Sequence, residues 1–190
     1  MPNWAYSLYI AVGEKKQIKK LHSTMSELEH MKKPLVENGF GTTWLGCLVS
    51  KLGGNPEKIY CRGSWDSLTL NDDRLSFGVE SAWDELNEVR EFIEEKFPSI
   101  KLYFQCEESG NCVYTTNDAD GEYFPDKYCF WVEDSDTIYH ETLEDLIKDV
   151  EDVTGSKQLR TLDACRKAME TYSRKNHDLC YTLEEFKVVN

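Results

Sequence analysis

The sequence predicts an α+β sandwich, and three observations carry that prediction. First, Leu75, Phe77 and Val79 alternate with Arg74, Ser76, Gly78 and Glu80, the period of two expected of a half-buried strand. Second, the pattern then switches: Leu86, Val89, Ile93 and Phe97 recur at helical spacing until Pro98 closes the segment. Third, Leu102 and Phe104 resume the alternation against Lys101, Tyr103 and Gln105. Strand, helix and strand this short form a βαβ unit.

The remaining elements follow in order. Trp4 to Val12 reads as a strand, with Trp4, Tyr6, Leu8 and Ile10 on one face and the shorter or more polar residues on the other; Gly13 ends it. From Glu14 to Met31, Ile18, Leu21, Met25 and Leu28 form a helical stripe opposite Lys15, Lys16, Lys19 and Lys20. Between the breakers of residues 32–41 and 53–56, Trp44 to Val49 suits a short helix lying on the core. Gly63–Leu70 and Arg74–Glu80 form a hairpin across Asn71-Asp72-Asp73. Asp84 is the expected N-cap of the next helix. A second hairpin joins Lys101–Cys106 to Asn111–Thr116, and short alternations recur at Tyr128–Val132 and at Ile138 and His140.

Thr142 and Asp145 make a capping pair ahead of the stripe Leu143, Leu146, Val150 and Val153, and Gly155 suits the C-terminal cap. A helix over Thr161–Arg174 buries Leu162, Cys165, Met169 and Tyr172; Thr182 and Glu185 repeat the capping pattern and predict a short final helix. In order the core reads β-α-β-β-α-β, the ferredoxin-like sandwich, with extra antiparallel strands and C-terminal helices. The predicted division is residues 1–133 for that domain and 134–190 for a helical extension packing on it.

An apolar share of 40% with 12% aromatics supplies a core, which argues against wholesale disorder. No run approaches the roughly 18 apolar residues of a spanning helix. The opening Met1-Pro2-Asn3-Trp4 carries neither a basic nor an apolar signal region, so a cytoplasmic protein is expected. Seven cysteines, none in a CxxC pair, then read as reduced thiols, with Cys106–Cys112 the one pairing to check.

The net charge of −13 is unevenly placed: residues 66–152 hold 25 of the 35 acidic side chains but 6 of the 22 basic ones. Such a block repels phosphate, so direct nucleic-acid binding is not expected. It suits solubility, or a docking face for a basic protein, including a face that mimics nucleic-acid charge.

No catalytic or cofactor signature is present, and the reading leans away from an enzyme. No Gly-x-Ser-x-Gly elbow, phosphate-binding glycine loop or HExxH occurs. The best metal candidates are Asp118, Asp120 and Glu122 in a turn-rich loop, because clustered carboxylates suit a hard cation. An EF-hand register on Gly121 would put Thr116 and Lys127 at ligand positions, so that motif is rejected. His140 and Glu144 straddle a strand-to-helix change, and His22, His30 and His177 lack ligand-spaced companions. Trp44, Trp65 and Trp83 are candidates to line a pocket, Trp44 and Trp83 foremost, although tryptophans in such patterns commonly serve the core.

Several short motifs resemble a known family. Met1-Pro2-Asn3-Trp4, Gly41-Thr42-Thr43-Trp44, the Leu75–Trp83 strand, Tyr103–Glu108 and Gly121-Glu122-Tyr123 together look like the YubB-like proteins of plasmids, phages and integrated elements. Thr43 stands where that family has lysine, and Asp84-Glu85-Leu86 where Ser-Pro-Pro is common. The resemblance covers residues 1–133. It implies a ferredoxin-like domain of mobile elements and supplies no catalytic residues. The expected function is therefore a non-enzymatic macromolecule-binding domain with an acidic docking surface. The alternative is a metal- or small-ligand-binding protein, or an enzyme, using Asp118, Asp120 and Glu122 with a pocket near Trp44 and Trp83.

Overall fold

The computed structural model describes residues 2–189 and is of mixed α+β class. The chain divides into two compact units, one ending at Asn117 and the other spanning Asp118–Val189. The boundary thus falls earlier than residue 133, because Tyr128–Val132 builds its sheet with later strands and not with earlier ones.

The first unit comprises β1 (Trp4–Val12), α1 (Lys15–Glu29), α2 (Leu45–Lys51), β2 (Gly63–Asn71), β3 (Arg74–Ala82), α3 (Asn87–Lys96), β4 (Lys101–Glu108) and β5 (Val113–Thr116). Its strands lie in the order β2-β3-β1-β4-β5, and each neighbouring pair is antiparallel. The predicted stripes are the buried ones: Ile18, Leu21, Met25 and Leu28 on α1, and Val89 and Ile93 on α3. They pack with Leu45, Cys47, Leu48 and Val49 of α2 on one face of the sheet.

The central strand is oriented against its own hydrophobicity. Ala5, Ser7, Tyr9 and Ala11 face the helices at 4% exposure or less, while Trp4, Tyr6 and Leu8 stand 41–47% exposed on the other side. Small residues in the middle of the sheet leave room for the larger side chains of its neighbours: Phe77, Leu102 and Phe104, together with the helical leucines, fill the core. Alternation established the two faces, but the volume to be filled decided which one was turned inward.

Helix α3 starts later than expected. Trp83 adopts a left-handed backbone, φ 79°, and donates its N–H to the Asn3 carbonyl at 2.9 Å. The Asp84 carbonyl accepts the Ser81 hydroxyl at 2.6 Å, and the N-cap position passes to Leu86, which offers no side-chain bond. Cys106 and Cys112 are both free thiols, one buried and one exposed, so the Cys106–Cys112 bridge does not form.

The second unit holds β6 (Tyr128–Val132), β7 (Ile138–His140), α4 (Leu143–Thr154), α5 (Leu162–Lys175), β8 (Tyr181–Glu185) and β9 (Lys187–Val188). Strands β7-β6-β8 form an antiparallel sheet, covered by the helices through Phe130, Leu146, Val150, Cys165, Met169 and Leu183. Thr142 accepts the Asp145 amide at 3.2 Å, Thr161 accepts the Ala164 amide at 3.2 Å, and Gly155 closes α4 at φ 71°. The Thr182–Glu185 pattern is not a helix start. Those residues pair with β6 over the full register from Tyr128↔Glu185 to Val132↔Tyr181, which gives their backbone ladder hydrogen bonds and buries Leu183.

Candidate functional site

The outward face of β1 exposes aromatic and aliphatic side chains beside carboxylates. Register places Tyr6 directly opposite Glu80 on β3 and Glu107 on β4, so the three residues share one row across three strands. Leu8 lies opposite Gly78 and Gln105, and Trp4 opposite Ala82. Gly78 leaves room for this arrangement. A Cβ on it would come within 2.8 Å of Tyr6 Cζ and 2.5 Å of Asp66 Oδ1, because the tyrosine ring leans diagonally over the bare glycine. Its hydroxyl then donates to Asp66 Oδ1 at 3.1 Å. Partial burial raises the Tyr6 pKa, and the neighbouring Asp66 charge raises it further.

Trp4 extends this face. Phe40 meets it edge-on with ring centroids 6.1 Å apart, and the Arg62 guanidinium lies 5.9 Å from its ring. That contact already shows a guanidinium seated on an aromatic ring beside β1.

On the helix-facing side a closed polar cluster sits in the core. Tyr9 donates to Glu85 Oε2 at 3.0 Å; Glu85 Oε1 lies 3.4 Å from Arg90, whose guanidinium is bonded to Asn87 and lies 5.5 Å over the Phe104 ring. Burial pushes the Glu85 carboxyl up, against the opposing pull of Arg90 and Tyr9. Burial, reinforced by Glu85, lifts Tyr9 well above its usual range, and it pushes the Cys106 thiol up to about 11. The void beside the cluster is about 10 Å³, hardly one water's space, so a substrate does not reach these groups.

The loop candidates are deployed otherwise. Asp118 is 4% exposed, and its Oδ2 accepts the amides of Tyr123 at 2.6 Å and Phe124 at 2.8 Å, which fixes the loop. Asp120 and Glu122 are exposed. Among the described residues no three acidic, histidine or cysteine side chains stand where they could hold an ion together, so Asp118, Asp120 and Glu122 are not assembled as ligands.

Trp44 lines a cleft of about 440 Å³ with Phe40, Lys58, Tyr60, Arg62 and Glu88, and its buried indole N–H has no hydrogen-bond partner among the described residues. Trp83 is 46% exposed and is not part of that lining. Sequence reasoning missed the Tyr6 row, because its members come from three strands. It also missed Arg90, although Arg90 falls in phase with Leu86, Val89 and Ile93 and so signals a buried charge.

No family model, curated protein or solved structure matches this chain. Among the described residues no helix is long and apolar enough to cross a membrane.

Proposed function

We propose that this protein is a non-enzymatic docking module of the cytoplasm that binds a basic protein through the open face of its first sheet. One observation carries the reading: the central strand exposes Trp4, Tyr6 and Leu8 in a row, bordered by Glu80, Glu107 and Asp66. Exposed aromatic and aliphatic groups give contact area, and flanking carboxylates choose a cationic partner over an anionic one. The net charge of −13 supports the same polarity and would speed encounter with a basic surface.

The strand order β2-β3-β1-β4 with the helices on one face supports a ferredoxin-like arrangement for the first unit. The resemblance of its short motifs to YubB-like proteins supports a place among mobile-element proteins, where an acidic face would compete with DNA for a nuclease or regulator. The direct test is binding to mixed lysine/arginine peptides, with a neutral peptide of equal length as control. Saturable binding at low salt that weakens as salt rises is expected. Absence of binding at low salt would reject the proposal.

A second reading, a small-ligand protein, is favoured by the Trp44 cleft and its unbonded indole N–H. A metabolite present at 100 times its dissociation constant would stabilise the fold by about 2.7 kcal/mol. Thermal melting against metal ions and a metabolite panel checks for this, and a panel without shifts counts against it.

A further inference from the structure

A cleft of about 380 Å³ lies within the second unit, lined from α4, from the β6–β7 region and by Tyr172 of α5. Its wall is largely apolar: Val132, Ile138, Val153 and Tyr172 line it together with the buried Phe130. Its charges are all of one sign. Asp136 comes from the segment joining β6 to β7, Asp149 and Asp152 come from α4, and among the described residues no basic side chain lines the cleft. We propose that this cleft binds a linear aliphatic polyamine, with its ammonium groups at the aspartates and its methylenes along the apolar wall. The proposal stands independently of the docking face on the first sheet.

The carboxylates are poorly compensated within the chain. Asp136 and Asp152 have no ion pair or side-chain hydrogen bond among the described residues, and Asp149 meets only His140, whose Nε2 lies 3.3 Å from its Oδ2. Asp149 and Asp152 are three residues apart on one helix, where like charges repel, and carboxylates near a helix C-terminus oppose its dipole. The last turn of α4 carries no basic residue to offset either effect. A cation in the cleft relieves both.

That cation is not a single metal ion, because among the described residues no three acidic, histidine or cysteine side chains converge to hold one. Carboxylates set apart on two elements call for several positive charges set apart on one flexible chain. An alkyl polyamine has that form. Its methylenes would also cover Ile138, which is 44% exposed and lines the cleft. The cleft's volume is at the lower end of small-molecule sites, which suits a slender chain.

The test is calorimetric titration of the full chain with spermidine, and separately with butylamine and Mg²⁺, all at matched ionic strength. Spermidine should bind saturably at one site, about ten-fold more tightly than butylamine, the gain expected of two further surface ion pairs. Mg²⁺ should not displace it. Asp136→Asn and Asp152→Asn should each weaken spermidine about two- to five-fold, while Asp73→Asn in the first unit should leave it unchanged. Ile138→Ser, which alters no charge, should weaken it as well. Equal affinity for spermidine and butylamine, or spermidine binding that survives joint replacement of Asp136, Asp149 and Asp152 in a folded variant, would reduce the effect to screening of the net charge and overturn the proposal. A lysine-rich peptide that displaces spermidine and binds more tightly through the same aspartates would assign the cleft to a protein tail and overturn it too.

Discussion

Tyr6 and Tyr9 lie on opposite faces of one strand, and each donates its hydroxyl to a carboxylate, Asp66 at 3.1 Å and Glu85 at 3.0 Å. Their settings differ in one respect that matters. Tyr9 is 4% exposed, and its carboxylate is matched by Arg90 from within the chain; Tyr6 is 43% exposed and its carboxylate, Asp66, is exposed with it. The inner cluster has compensated its charge internally, as burial demands. The outer one keeps its carboxylates at the surface, where water stabilises them at little cost and a partner can replace that water. The sheet thus has one face whose polar groups are buried among one another and one face whose polar groups meet solvent.

The inner face is where substitutions should cost most. Arg90→Ala leaves Glu85 buried without its cation and should destabilise the fold by about 3–5 kcal/mol in urea unfolding. A cost below about 1 kcal/mol would mean that the cluster is not sealed as described.

Alkali should expose the same face. Tyr9, Cys106 and Cys61 all have folded-state pKa values raised by burial, to about 11 for each of the two thiols. The protonated forms therefore favour the folded state; their contribution is complete below pH 9 and is lost as pH climbs toward 11. Melting temperature should fall steeply over that window, and Cys106→Ala should flatten the decline. Glu85, also raised, contributes in the same sense at acid pH, and its contribution is lost as pH rises through its folded value.

On the outer face the stability costs shrink while the binding costs grow. Gly78→Ala must displace the Tyr6 ring, so it should cost about 1 kcal/mol, as overpacking of this kind does, and should alter the near-ultraviolet tyrosine spectrum. Tyr6→Phe loses only a solvent-facing hydrogen bond and should cost at most about 0.5–1 kcal/mol in the same unfolding assay. If Tyr6→Phe proved as damaging as Arg90→Ala, the contrast between the faces would be false.

The elements of both faces were largely legible in the sequence, because period-two and helical stripes are local signals: Leu75 to Val79, Val89 to Ile93 and Leu146 to Val150 stand where their spacing places them. What spacing could not convey was which side of β1 faces the helices. Ala5 and Ala11 are inside because neighbouring strands supply the volume, a fact of three dimensions. Thr182 and Glu185 imitate a capping pair, yet the exposed edge of β6 claimed their backbone. The left-handed Trp83 delayed α3 through a contact with Asn3, eighty residues away. Asp118 resembled a ligand because a carboxylate that binds amides and one that binds ions look alike in a sequence. The Tyr6 row joins residues from three strands, so it could not be read before the register was known.

The most direct test of the outer face is residue-level mapping by nuclear magnetic resonance during titration with an arginine-rich peptide. Shifts should concentrate on Tyr6, Leu8, Gly78, Glu80 and Glu107 and leave Tyr9, Glu85 and Arg90 unmoved. Saturable shifts confined to other surfaces, with the β1 row unchanged, would contradict the account.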